Sequence, residues 1–298
     1  MKRIHLLVSP VCGALVAGVV AGVPAAASEP NDLSEQRVAA TTDGSKAGLH
    51  CWGSVQWSAG NKLNERYWKV SPKNRWRPDD HNTTAKKLGF VPRTFVYYGA
   101  AGGDGFSQST DIVISKRRAV FSVTTSARDG SNVLGLRKSR IGRLKGKARP
   151  MNGMSDLYLV RKSGRVVYAP NAGKPNKRVR VRGLRLRNYR FGAVSSAQTK
   201  NGGYVNVMYA VRGSRLVRVV LNGRKVIRAP RVVSKTWRNA KGLTARPCVS
   251  SHKQSIVRIG KNRKARGFLH SRPTAKRPAK LGKGVKLGGR YRGRAFGA

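Results

Sequence analysis

The chain has 298 residues, with 62 lysines and arginines against 11 aspartates and glutamates, and a formal net charge of +51. A charge of that size draws anionic partners and leaves few carboxylates for paired acid–base chemistry, which speaks against a two-carboxylate glycosidase. The last acid is Asp156, and the 38 lysines and arginines that follow it must be solvated, spread over the surface or neutralised by a partner.

Lys2 and Arg3 precede a largely apolar run, Ile4 to Val23, which ends at the small-residue pattern Ala25-Ala26-Ala27. Residues 1–27 therefore read as a cleaved signal peptide and the mature chain as secreted, free or retained on the cell wall. An uncleaved membrane anchor is the competing reading; no later stretch is long and apolar enough to cross a bilayer. Residues 28–48 are polar and aperiodic, a flexible lead-in. Cleavage removes Cys12 and leaves Cys51 and Cys248, an even pair that reads as one disulfide in an oxidising compartment, with two buried thiols as the alternative.

From residue 49 the chain reads as a series of β-hairpins. Candidates are Ser54 to Trp68, Asp111 to Val123, Asp156 to Pro170, Val207 to Val219 and Ser255 to Leu269. The clearest is DLYLVRKSGRVVYAP at Asp156, where alternating apolar residues flank Lys162-Ser163-Gly164 and the glycine supplies the positive φ of a tight turn. The turn positions Gly60, Arg117, Gly164, Gly213 and Lys261 are separated by 57, 47, 49 and 48 residues. A second element recurs between them, as KKLGFVPRTFVYY at Lys86, SRIGRLKG at Ser139, LRNYRFGAVS at Leu186 and TWRNAKGLTA at Thr236. Short strands at a period of 40 to 50 residues, without helical periodicity, predict an all-β, five-bladed β-propeller with four-stranded antiparallel blades. A β-sandwich with the same strand spacing is the competing architecture.

LGFVPRTF from Leu88, the hairpins at Asp156 and Val207, and TWRNAKGLTA from Thr236 recur in an order that resembles the tachylectin-like five-bladed propellers, over residues 49–271. That lectin family also occurs as secreted proteins of filamentous bacteria. The resemblance implies a non-enzymatic protein with several equivalent sites between blades for N-acetylated sugars. The positions matching its loop motif are Trp237 and Asn239, with Asn188 and Tyr189 in the preceding copy. An aromatic ring offers a flat face to a pyranose and an amide can pair with an acetamido group. Trp237 reads equally as a core aromatic between blades, and Trp52, Trp57, Trp68 and Trp76 as packing where the ring closes.

Residues 272–298 mix Lys, Arg, Gly and Pro and read as a basic C-terminal tail that engages polyanionic backbones, nucleic acid included, by charge. An outer strand from Gly288 to Phe296 is the alternative. Asp79-Asp80-His81 lacks the spacing of a metal-ligand set, and there is no nucleophile elbow, phosphate loop or zinc pattern, so neither catalytic residues nor a metal or cofactor is expected. The expected partners of this monomer are glycans or anionic cell-wall polymers, bound multivalently; a polyanion binder without sugar specificity is the second reading.

Overall fold

A computed structural model of the chain describes residues 50–298 apart from 60–61, 72, 79–82, 104–105, 129–132, 155, 200–201, 250–251, 292–293 and 296–298. The signal segment, the lead-in, Cys12 and Asp79-Asp80-His81 lie outside the described residues.

The described residues are all-β. In chain order the first strands are β1 (His50–Ala59), β2 (Lys62–Val70), β3 (Trp76–Pro78) and β4 (Thr83–Lys87). A four-stranded antiparallel meander follows, β5 (Pro92–Gly103), β6 (Phe106–Ser115), β7 (Ala119–Arg128) and β8 (Val133–Arg143). Next come β9 (Ala148–Pro150), the two-residue β10 (Gly153–Met154), β11 (Leu157–Arg161), β12 (Arg165–Ala169) and β13 (Val179–Arg185). Strands β14 (Tyr189–Gln198), β15 (Tyr204–Arg212), β16 (Arg215–Asn222) and β17 (Lys225–Ser234) form another meander. The last are β18 (Ala240–Val249), β19 (Lys253–Gly260), β20 (Ala265–Ser271), β21 (Val285–Leu287) and β22 (Arg294–Ala295). All five expected hairpins are present, as β1–β2, β6–β7, β11–β12, β15–β16 and β19–β20.

The sheets are less separate than equal four-stranded blades would make them. β9-β11-β12-β13 and β14-β15-β16-β17 are free-standing four-stranded antiparallel sheets, whereas the other strands are chained into one fourteen-stranded sheet. Three edge pairings do this: β1 with β18 antiparallel, β4 with β8 parallel and β5 with β10 parallel.

Period-two alternation places side chains on both faces of each meander. In β15, Met208 and Ala210 join a cluster with Tyr158, Val160 and Val181 of the preceding sheet. Val207, Tyr209 and Val211 point the other way, to Trp237 and to Leu243, Ile256 and Phe268 of the following sheet. Equivalent clusters join β5–β7 to β9, β11 and β12, and β1–β2 to β5–β8. A further cluster brings Val257, Ile259 and Leu287 of the last sheet back onto Val55 and Trp68 of the first, with Trp57 and Trp76 packed against it. Consecutive meanders that pack face to face, the last against the first, are the architecture of a β-propeller.

The second recurring element is a buried plug. Leu88, Leu144, Leu186, Trp237 and Tyr291 each sit just after one meander with their side chains buried. Four of them donate a backbone N–H to the carbonyl of a central hairpin turn, Leu144 to Arg118, Leu186 to Gly164, Trp237 to Ser214 and Tyr291 to Arg263, at 2.7–3.0 Å. The plug thus closes each meander by tying the end of its fourth strand to the turn between its second and third.

Residues 272–291 do not form a free basic tail. β21 pairs with β20, Leu281 donates to the Val233 carbonyl, and Tyr291 meets Trp57 edge to face at 5.0 Å. β22 pairs with β1. The segment is anchored from below by a buried polar cluster, in which the Arg218 guanidinium donates to the Ala275 carbonyl at 2.6 Å. His270 Nε2 donates to the Ala279 carbonyl at 2.9 Å, so Nδ1 accepts the Tyr209 hydroxyl at 2.7 Å. The composition misleads here because Leu281, Leu287 and Tyr291 carry the packing while the cations between them stay in solvent.

Cys51 and Cys248 form a disulfide between directly opposed positions of β1 and β18, with the Cα atoms 4.3 Å apart and 197 residues between them in sequence. Closing so long a loop stabilises by about 5 kcal/mol on the chain-entropy account. Replacing both cysteines by alanine is expected to lower the unfolding free energy by up to that amount, read from denaturant melts of the oxidised and variant proteins.

Burial above all holds His270 down to about 4 from its ordinary 6.5, against the upward pull of the bond to the Ala279 carbonyl and with a smaller downward push from the Arg218 charge. The unfolded chain therefore binds a proton that the folded chain refuses between those values. Stability is complete above pH 6.5 and falls by about 3 kcal/mol as pH drops through 4. His270→Gln is expected to flatten that window in melts taken between the two pH values.

Candidate functional site

The plugs, the central turns and the starts of the first strands gather a run of arginines. Arg93 and Arg190 sit at register shifts near the start of β5 and β14, with Lys241 at the matching shift in β18 and Arg149 at the matching residue of β9. Each therefore follows its plug by four or five residues. The Arg149 guanidinium donates to the Tyr189 carbonyl at 3.1 Å, reaching the first strand of the next sheet. Arg190 does the same one sheet further on, donating to the carbonyls of Ala240 at 2.7 Å, Arg238 at 2.8 Å, Gly213 at 3.0 Å and Trp237 at 3.3 Å. A planar fork of five donors can bridge several carbonyls at once, which one ammonium cannot.

Two adjoining clefts open beside these clamps and share Asn188 as a wall. The larger, about 390 Å³, is lined by Arg93, Arg118, Lys147, Arg149, Arg161 and Lys162 together with Leu186 and Tyr189. The smaller, about 300 Å³, is lined by Arg187, Arg212 and Arg215 with Gly213, Ser214 and two valines. Among the described residues, no carboxylate lines either cleft. Asn188 takes a positive φ of 55°, a conformation asparagine tolerates, and its carbonyl accepts the Gly213 N–H, so the turn that carries it is fixed. Tyr189 is 8% exposed and its hydroxyl has no hydrogen-bond partner among the described residues. Burial pushes that phenol up while Arg149 and Arg93 pull it down, leaving it protonated and able to donate. Arg118 Nε donates to the Leu144 carbonyl at 3.0 Å, but its buried Nη2 finds no partner among the described residues.

The expected ligand residues separate. Asn188 and Tyr189 lie together on the larger cleft, and Asn239 is exposed at the turn matching Asn188, its carbonyl accepting the Lys261 N–H. Trp237 is 0% exposed, its ring tilted against Phe268 at 5.7 Å with the Arg258 guanidinium over it at 5.6 Å. It presents no free face to a sugar, and Tyr189 is likewise buried, packed in a hydrophobic cluster. The signal for this was in the repeat itself, since the positions matching Trp237 are Leu88, Leu144 and Leu186. The cations Arg118, Arg161 and Lys162 were missed because nothing in their local sequence marks them among so many others.

Among the described residues, Glu65 accepts from Gln56 at 3.0 Å and pairs with Arg246 at 3.5 Å. Asp156 accepts the Asn206 amide at 3.0 Å, and burial raises its carboxyl above the usual range. No group of three or more His, Cys, Asp or Glu able to hold a metal occurs among the described residues.

No family profile and no curated protein matches the chain. Similar solved structures include a mutant of AofleA from Arthrobotrys oligospora, at 9% identity over 83% of this chain and 74% of that one, TM-score 0.40. Aleuria aurantia lectin in complex with α-methyl-L-fucoside aligns at 11% identity over 79% and 78%, TM-score 0.35. A β-xylosidase aligns at 10% over 84% and 95%, TM-score 0.34. None of these alignments singles out the tachylectin family. The expectation of a non-enzymatic protein is corrected by the β-xylosidase, because enzymes and binding proteins share this architecture and the fold does not exclude catalysis.

Arg190→Met is expected to lower the unfolding free energy by about 3 kcal/mol, since it strips carbonyls of a charged donor. Arg190→Lys is expected to recover little of it, read in the same denaturant melts.

Proposed function

We propose that the protein is a secreted five-bladed propeller that binds glycans or anionic cell-wall polymers multivalently through its cationic clefts. In this reading residues 1–27 are the signal peptide, 28–48 the lead-in, and the ring extends from residue 49 through the docked C-terminal segment. Secretion is consistent with the disulfide, and no helix among the described residues is long and apolar enough to cross a membrane. Five blades are supported by the five hairpins, the five plugs and the closing cluster between the last and first meanders.

The observation that carries the binding reading is the pair of clefts around Asn188, lined by cations and, among the described residues, by no carboxylate. Asn188 and Asn239 occupy matching turns, which supports more than one site per ring and avidity from simultaneous engagement. A second reading, charge-driven binding of any polyanion including nucleic acid, draws on the exposed Arg137, Lys138, Arg140 and Arg143 along β8, outside both clefts.

Salt separates the two. Duplex DNA held by charge alone loses affinity with a log–log slope of about −0.9 per phosphate contacted. Purified cell-wall polymer is expected to bind with a shallower slope, to be competed by free N-acetylglucosamine, and to bind less well to Asn188→Ala. A polymer slope as steep as that of DNA, indifferent to the sugar and to Asn188→Ala, would leave only the second reading.

A further inference from the structure

We infer that one end of the ring, the end built from the central turns and the connectors between sheets, docks onto an anionic lipid surface. The inference stands apart from the glycan reading, because it concerns the whole of that end and not the two clefts.

In an antiparallel meander the start of the first strand, the turn between the second and third, and the end of the fourth all lie at the same end. Backbone hydrogen bonds carry that end from sheet to sheet. The connector after β13 is tied to the turn behind it, Leu186 N–H donating to the Gly164 carbonyl, and to the turn ahead of it, Gly213 N–H donating to the Asn188 carbonyl. The connector after β17 repeats the pattern, with Trp237 N–H on Ser214 and Lys261 N–H on the Asn239 carbonyl. Connectors and central turns therefore make one continuous surface.

That surface is cationic. Its segments, 88–92, 115–119, 144–148, 161–165, 186–190, 212–215, 235–240, 260–265 and 287–291, contain no Asp or Glu, and all but the first carry Lys or Arg. Lys116 and Arg117 at the β6–β7 turn, Lys162 at β11–β12, Arg215 at β15–β16, and Lys261 and Lys264 at β19–β20 are all exposed. The acids among the described residues lie elsewhere, Glu65 within β2, Asp111 within β6 and Asp156 at the far end of β11. Cations spread over four sheets cannot all meet a single thread of polymer. A plane of anionic headgroups meets them together, and each cation held near such a surface adds to the binding.

Apolar residues at the same end favour lipid over nucleic acid. Five large apolar residues are exposed among the described residues, and three of them stand here, Val91, Ile141 and Val232. Val91 lies in the connector before β5, and its carbonyl accepts the Lys116 N–H. Ile141 is the extra residue of the β8 bulge, two positions from the end of that strand, and Val232 lines the smaller cleft opposite Val217. Apolar side chains among cations suit the boundary between headgroups and acyl chains, where each kind of group finds its own partner. A phosphate backbone offers them nothing, and among the described residues no exposed aromatic ring stands at this end to stack on a base.

The test uses the full chain and co-sedimentation with vesicles of phosphatidylcholine alone or mixed in equimolar amount with phosphatidylglycerol. Binding to the mixed vesicles and none to phosphatidylcholine is expected. Joint replacement of Lys116, Lys261 and Lys264 by Gln is expected to weaken that binding about 100-fold. Lys73, Arg224 and Lys225 are exposed at turns of the opposite end, and their joint replacement by Gln removes the same charge, with an expected loss of about twofold. Replacing Val91, Ile141 and Val232 together by Ser is expected to weaken vesicle binding about tenfold and to leave duplex DNA binding unchanged. All nine side chains are exposed, so the fold tolerates the changes, which unchanged melting of each variant verifies. Equal loss in the two cationic variants, or full vesicle affinity in the serine variant, would overturn the inference. Duplex DNA that binds more tightly than the mixed vesicles, and that alone responds to the loss of Lys116, Lys261 and Lys264, would overturn it in favour of nucleic acid.

Discussion

A guanidinium that cannot find a carboxylate must find a carbonyl, and in this chain nothing after Asp156 offers the first choice. Arginine stays charged at any physiological pH and carries five donors, so burying its stem beside the core requires acceptors of some kind. Turns and strand ends supply them, because each backbone carbonyl has a second lone pair that the ladder leaves unused. Arg149, Arg190, Arg212, Arg258 and Arg266 all donate to such carbonyls, and Arg218 does so from a fully buried position. Dipoles satisfy some of the donors, with Arg118 Nη2 and Arg218 Nε and Nη1 finding no acceptor among the described residues, and leave the charge standing. Folding therefore organises the positive field without dissipating it, and the need for an outside anion survives in the folded state.

The clamps also set how the sheets meet. Arg149 and Arg190 reach matching carbonyls at the start of successive first strands, and the plugs tie each fourth strand to its own central turn. The hydrophobic clusters between meanders supply most of the burial, since each sheet has apolar side chains on both faces and a neighbour covering each. The disulfide and the docked C-terminal segment act where the first and last meanders meet, the one joint that chain connectivity alone does not hold.

Stability and binding draw on the same ring of residues. The clefts open where clamps, turns and plugs converge, so Arg149 is both a brace between sheets and part of a cationic wall. Asn188 divides the two clefts from a turn fixed by its own sheet. A rigid frame with loops at one end suits a binding surface and, in related architectures, a catalytic one; which chemistry is hosted depends on the residues in the site and not on the frame.

The hairpins were legible in the sequence because period-two alternation and turn residues act over a few positions, and all five paired as their patterns indicate. The pairing of Cys51 with Cys248 followed from there being two cysteines after residue 27. Trp237 was ambiguous as a single residue, although the leucines at its matching positions already pointed inward. Only the tertiary structure decided that residues 272–291 dock, that sheet edges fuse into a fourteen-stranded unit, and that Arg118, Arg161 and Tyr189 face one cleft. Local pattern encodes what a residue's neighbours along the chain impose. Which sheets share a core, and which cations meet across it, is set by packing between segments tens of residues apart, and no short-range preference carries that information.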